Sequence, residues 1–173
     1  MKASAEHNTV AAAMARSTFD SASPAATRRL GERLGRVLAA GDVVLLYGEL
    51  GAGKTCFVGG LARGLGVPRD RRIASPTFAI MNEHPGRVVL HHLDLYRIDE
   101  PDELVTLGVA EVLGGSGVAV VEWPERLGRI APADRIDVRF EIRGPSARRI
   151  EVRADGAAAT RVQAFFKQGE RAR

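Results

Sequence analysis

One stretch of eight residues, Gly48-Glu49-Leu50-Gly51-Ala52-Gly53-Lys54-Thr55, constrains this chain more than any other. It fits the pattern G-x-x-x-x-G-K-[ST] without a gap, and its setting suits the pattern. Residues 43–47 before it (VVLLY) form a short apolar run of the kind a buried strand shows. After it, Phe57, Val58, Leu61, Ala62 and Leu65 recur at a spacing that gives a helix one apolar face. The chemistry needs this layout. Glycines let the backbone of Glu49, Leu50, Gly51, Ala52 and Gly53 curl so that its N–H groups point inward at a phosphate chain, and the helix start adds a positive dipole end. Lys54 would reach the β/γ-phosphates, and the Thr55 hydroxyl would hold Mg²⁺. With strand, loop, Lys-Thr and helix all in place, the stretch reads as a nucleotide phosphate site rather than a ligand-free turn.

The rest of the chain permits that reading. Its 173 residues suffice for one domain with a proper core, and 45% hydrophobic with 27% charged residues is ordinary for a soluble globular protein. No apolar run is long enough to cross a bilayer. The first fifteen residues lack a basic start followed by a continuous apolar core, so no signal peptide is expected. A single cysteine, Cys56, rules out an intramolecular disulfide and any CxxC metal site, which suits a reducing cytoplasm. The net charge of +4 is compatible with an anionic partner such as RNA. The arginines are scattered, however, as on a solvated surface, and tRNA contact stays open.

Residues 1–16 and 169–173 are expected to be disordered tails around one domain spanning residues 17–168. Ser23-Pro24 predicts the start of a helix over residues 25–38, with Leu30, Leu34, Val37 and Leu38 on one face. Two short apolar runs, 79–83 and 88–93, flank His84-Pro85-Gly86-Arg87 and predict a hairpin. A helix over 101–113 should face Leu104, Leu107 and Val112 inward. Residues 117–121 read as a buried strand, while 135–143 and 148–154 alternate as a second, half-exposed hairpin before a last helix at 157–166. The fold class expected is α/β: a three-layer α/β/α domain like the P-loop NTPases, with a mixed, largely parallel sheet and an antiparallel edge hairpin.

Hydrolysis at a phosphate loop needs Mg²⁺ and a group that positions water. Mg²⁺ prefers oxygen ligands, and an acid at a strand end beside the loop is the usual second anchor. Two apolar strands deliver such acids, Asp94 and Glu122, at the edge of the sheet where an open α/β fold binds ligands. Thr77, on a segment kept extended by Pro76, lies where a nucleotide-sensing switch is often found. Trp123 reads by default as a core or rim aromatic. His84, His91 and His92 lack the spacing of a zinc site. Cys56 is most simply a small apolar residue in the first turn of the loop's helix.

Taken together, the phosphate loop, Ser75-Pro76-Thr77-Phe78, His92-Leu93-Asp94-Leu95-Tyr96-Arg97 and Val121-Glu122-Trp123-Pro124 resemble the TsaE family. These are small bacterial ATPases of tRNA threonylcarbamoyladenosine biosynthesis. The resemblance covers residues 17–154, and the order and spacing of the four motifs carry it. It implies a cytoplasmic, ATP- and Mg²⁺-dependent protein that works with the TsaB–TsaD pair. That pair attaches threonylcarbamoyl to the adenosine beside the anticodon. The resemblance further implies that Lys54 and Thr55 bind phosphates and Mg²⁺ and that Asp94 is the Walker-B-like acid. Glu122 becomes the second metal anchor or the water-positioning group, Thr77 the switch residue, and Trp123 a neighbour of the nucleotide. The segment around Phe19 to Ser23 is implied to lie near adenine. The chain departs from the family pattern in three places. Cys56 replaces a second Thr, so a side-chain bond to the α-phosphate is lost while the backbone N–H remains. Leu93 stands where Phe is common, and the extension before Arg16 has no assigned counterpart.

Other classes remain in view. A small-molecule kinase would share the loop but bring an arginine-bearing lid, for which only Arg126 and Arg129 are at hand in a short stretch. A nucleotide-gated binding module would hold ATP without useful turnover.

Overall fold

The computed structural model describes residues 14–76 and 79–170. In chain order they form β1 (Met14–Ser21), α1 (Pro24–Val37), β2 (Val43–Tyr47), α2 (Lys54–Gly64), β3 (Met81–His84) and β4 (Leu90–Asp94). There follow α3 (Pro101–Thr106), α4 (Val109–Leu113), β5 (Val118–Glu122), a 3-10 segment (Pro124–Ile130), β6 (Ile136–Ile142), β7 (Arg148–Asp155) and α5 (Gly156–Glu170). All seven strands join one sheet in the order β1-β7-β6-β2-β5-β4-β3. The four central strands, β6, β2, β5 and β4, run parallel, and β3, β7 and β1 pair antiparallel outside them. This is the expected mixed α/β sheet.

Side-chain alternation along β2 explains the layers. Val44 and Leu46 point to one core, shared with α1, α2 and α5; Val43 and Leu45 point to the other, shared with Leu104, Val109, Leu113 and Leu127. A strand with apolar residues on both faces can only sit in the middle of a covered sheet. α1 starts where its capping chemistry dictates: the Ser23 hydroxyl accepts the Ala26 N–H at 3.2 Å, and Pro24 occupies the first turn. Two pairs of glycines, Gly31 and Gly35 on α1, Gly60 and Gly64 on α2, let these helices touch backbone to backbone. A methyl group at Gly60 would sit 2.0 Å from the Arg28 carbonyl oxygen, and one at Gly31 2.3 Å from that of Phe57. This contact fixes the helix that begins with Lys54 and Thr55.

Three expectations need correction. Met14, Ala15 and Arg16 belong to β1 and pair with Asp155, Ala154 and Arg153, so order begins inside the expected tail; residues 1–13 lie outside the described residues. β1 therefore covers β7, and the β6–β7 hairpin lies one strand in from the rim. α5 likewise continues to Glu170, past the expected limit at 168. The single helix over 101–113 is two, broken at Gly108, whose φ of +64° interrupts the helical hydrogen-bond ladder. In consequence Leu107 lies 46% exposed while Leu104 is buried.

Candidate nucleotide site

The phosphate loop leaves the C-terminal end of β2, flanked by the C-terminal ends of β5 and β4. Gly51 and Gly53 take positive φ values of +77° and +100°, which only glycine adopts without strain, and they bend the loop into the start of α2. Parallel pairing in register places Asp94 beside Glu122 at adjacent strand ends, and Glu122 beside Leu46 of β2. Two acids 28 residues apart in sequence, 94 and 122, thus meet the loop at one sheet edge.

The contacts are specific. The Thr55 hydroxyl donates to Glu122 Oε1 at 3.0 Å and Oε2 at 3.2 Å. Glu122 is 3% exposed, so its carboxylate needs such partners. The second partner is the Nε2–H of fully buried His92, 2.9 Å from Oε1. The opposite ring nitrogen, Nδ1, has no hydrogen-bond partner among the described residues. Asp94 accepts from the Ser75 hydroxyl on one oxygen and from the Tyr96 N–H at 3.0 Å on the other, which holds the chain as it leaves β4.

Lys54 donates to the carbonyls of Gly48 at 2.6 Å and Glu49 at 3.1 Å. Its ammonium also lies 4.0 Å from the centre of the Trp123 ring, a cation–π distance. Burial holds the Lys54 pKa below the ordinary lysine value, chiefly by stripping water from the charge; Glu122, Asp94 and Glu125 pull it the other way. Trp123 directly follows Glu122 and takes φ +60°, the one non-glycine positive φ among the described residues. For a bulky side chain that conformation costs about 1–2 kcal/mol, and strain of this kind gathers at functional sites. Here it turns the ring over Lys54 and within 5.0 Å of the Tyr96 ring.

A cavity of about 320 Å³ is lined by Leu50 to Cys56, Ser75, Asp94, Tyr96, Glu122 and Trp123. Ten of the expected site residues thus line one space: Leu50, Gly51, Ala52, Gly53, Lys54, Thr55, Cys56, Asp94, Glu122 and Trp123. Glu49 does not line it; its carbonyl accepts from Lys54 and from the Ala52 N–H. Thr77 lies outside the described residues. Cys56 donates its thiol to the Pro24 carbonyl at 3.3 Å, and burial pushes its pKa up against the opposing pull of Arg28 and Arg148. Phe19 packs on Phe165, ring centres 5.1 Å apart, while Pro24 and Thr27 line a smaller cavity of about 150 Å³ behind the loop.

Sequence reasoning passed over three participants. Spacing tests His92 only as a metal ligand, whereas its bond to Glu122 depends on cross-strand register. Ser75 was quoted in a motif without a role. Arg148 reaches the loop from 96 residues away.

The oxygen donors gathered here, a hydroxyl and a carboxylate with a second acid beside them, suit a hard divalent cation such as Mg²⁺. Among the described residues no helix is long and apolar enough to cross a membrane.

Comparison with known proteins agrees with this geometry. The sequence model of the family described as threonylcarbamoyl adenosine biosynthesis protein TsaE matches residues 21–150. The chain is 40% identical over 126 residues to the tRNA threonylcarbamoyladenosine biosynthesis protein TsaE of Treponema pallidum, covering 73% of this chain and 92% of the relative. To the protein of that name from Bacillus subtilis it is 37% identical over 134 residues, 77% of this chain and 82% of the relative. The crystal structure of YdiB from Bacillus subtilis superposes with a TM-score of 0.72 at 28% identity, covering 92% of this chain and 97% of that one. With motif order, sheet topology and sequence all in agreement, the chain belongs to the TsaE family, proteins of tRNA threonylcarbamoyladenosine biosynthesis.

Proposed function

We propose that this protein is a Mg²⁺-dependent ATPase that supports threonylcarbamoylation of tRNA adenosine beside the anticodon, as an accessory to the TsaB–TsaD pair. The observation that carries the reading is the buried Glu122 carboxylate held against the Thr55 hydroxyl at the mouth of the phosphate loop. A loop that only bound phosphate would have no use for a desolvated carboxylate at that point, because an anion there opposes phosphate unless a cation joins them.

The residues divide the work. Amides of the loop and the first turn of α2 receive the phosphates. Lys54 has a short reach from its carbonyl partners to the β/γ-phosphates, and its charge offsets theirs. Thr55 and Glu122 would hold Mg²⁺, with Asp94 nearby, and the ion would neutralise charge developing on the phosphoryl group. His92 and Ser75 keep the two carboxylates oriented. Trp123 and Tyr96 wall the cavity on one side. The stretch after Trp123, Pro124–Ile130, is two short helical turns broken at Gly128, and its Arg126 faces Asp99 at 3.9 Å. That position favours an ATPase over a kinase with an arginine-bearing lid.

The test is ATP hydrolysis by the purified protein, alone and with the TsaB–TsaD pair. Slow turnover alone and faster turnover with the pair are expected. No complex and no stimulation would remove the proposed partnership.

A further inference from the structure

Arg148 opens β7, on the far side of the loop from the carboxylates. Its guanidinium donates to four main-chain carbonyls: Nε to Ala52 at 3.0 Å, Nη2 to Gly51 at 3.1 Å, and Nη1 to Gly144 and Ala147, both at 2.8 Å. The first two belong to the phosphate loop and the others to the turn joining β6 to β7. Every nitrogen of the group is engaged, and among the described residues no carboxylate pairs with it. A surface arginine held for its charge finds an acid or water. One that places four of its five N–H donors on carbonyl oxygens is acting as a rigid fork.

The peptides it holds are the ones whose orientation decides whether the loop can receive phosphate. In a trans peptide the C=O and the following N–H point in opposite directions. Fixing the Ala52 carbonyl on Arg148 aims the Gly53 N–H away from Arg148. Fixing the Gly51 carbonyl does the same for the Ala52 N–H, which donates to the Glu49 carbonyl at 3.1 Å within the loop. Gly51 and Gly53 are free to rotate as few residues are, and no side chain of their own restrains these planes.

We propose that Arg148 is a positioning residue for nucleotide binding: it pins the carbonyls of Gly51 and Ala52 to the β6–β7 turn, and so fixes the curl of the loop and presents the Gly53 N–H to phosphate in advance. The distant hairpin is thereby part of the phosphate site, and a disturbance of its turn, at Pro145 or Ser146, is transmitted to the loop through one side chain. Preorganisation of this kind acts on affinity, because the ligand need not supply the ordering of the loop. The inference rests on the nucleotide reading given above.

Arg148→Lys is the discriminating variant. It keeps the positive charge but has one nitrogen, which cannot hold both loop carbonyls and both turn carbonyls. ADP affinity with Mg²⁺ is measured by calorimetry, and amide hydrogen exchange of residues 48–56 is followed without nucleotide. The expected result is ADP affinity lower by about tenfold, faster exchange confined to the loop, and unchanged exchange in β2. For Arg148→Ala, added guanidinium ion at millimolar concentration should restore part of the affinity; if that variant does not fold, Arg148→Lys carries the test. Affinity of Arg148→Lys within about twofold of the parent, or loop exchange equal to the parent's, overturns the clamp. A parent protein that binds no ADP overturns the nucleotide reading itself, an outcome separate from parent and variant binding alike.

Discussion

The Thr55 hydroxyl donates to both oxygens of the Glu122 carboxylate, at 3.0 and 3.2 Å, across 67 residues of sequence. The first belongs to the phosphate loop and the second to the end of the neighbouring parallel strand, so the contact joins the two halves of the proposed metal site. Held also by His92 at Oε1, Glu122 has little freedom to turn away.

Replacing Lys54 by alanine should lower ADP affinity by about a hundredfold or more, since charge-assisted contacts to phosphate contribute about 1.5–3 kcal/mol each. Calorimetric titration checks this. The same residue should leave a mark on stability. Its pKa is lower in the folded chain than the ordinary 10.5, so the unfolded chain binds more protons between those two values. Stability without nucleotide should therefore rise with pH through that window, and Lys54→Met should flatten the rise. An equal slope in parent and variant would contradict the burial argument.

His92→Phe keeps a ring but removes the donor to Glu122. The buried carboxylate then retains only the Thr55 hydroxyl among its described partners, and urea unfolding should show a loss of about 1.5–3 kcal/mol. A change below about 0.5 kcal/mol would mean that the bond contributes nothing net.

Two adjacent glycines of α2 should respond to alanine with opposite signs. Nothing lies within 4 Å of a methyl group at Gly59, so Gly59→Ala should stabilise by up to about 1 kcal/mol through helix propensity. A methyl at Gly60 meets the Arg28 backbone at 2.0 Å, and Gly60→Ala should cost about 1–3 kcal/mol despite the same propensity gain. Thermal unfolding of the pair tests the α1–α2 contact, and changes of the same sign would refute it.

Cys56, the only cysteine, offers a chemical reporter. Burial raises its pKa, so alkylation at neutral pH should be slower than for a free thiol and should quicken as pH rises. The residue lines both the cavity at the phosphate loop and the smaller one behind it. Bound ADP should slow alkylation further, measured by mass spectrometry over time, and an unchanged rate would place the nucleotide elsewhere.

How much of this was legible in the sequence depended on the range of each signal. The phosphate loop and its flanking strand and helix are local, and apolar strands announce Asp94 and Glu122 by where they stop. The strand from Met14 to Ser21 was missed because its inward-facing residues, Ala15, Ser17, Phe19 and Ser21, are mostly small or polar, so backbone pairing with β7 rather than an apolar pattern makes it a strand. The break at Gly108 was missed because the apolar spacing around it still resembles one helix. His92 and Arg148 could not be given roles from spacing. Their partners lie 30 and 96 residues away, and only the register of the finished sheet brings them together.

The most direct test of the central claim compares the parent with Glu122→Gln, which preserves shape while removing the charge, in ATP turnover with the TsaB–TsaD pair and in ADP affinity. Turnover should fall by about a hundredfold or more while ADP affinity stays within a few-fold, as expected of a group that acts on the reacting phosphate and its metal rather than on the loop. Equal loss of binding and turnover would make Glu122 a structural acid, and unchanged turnover would contradict the account.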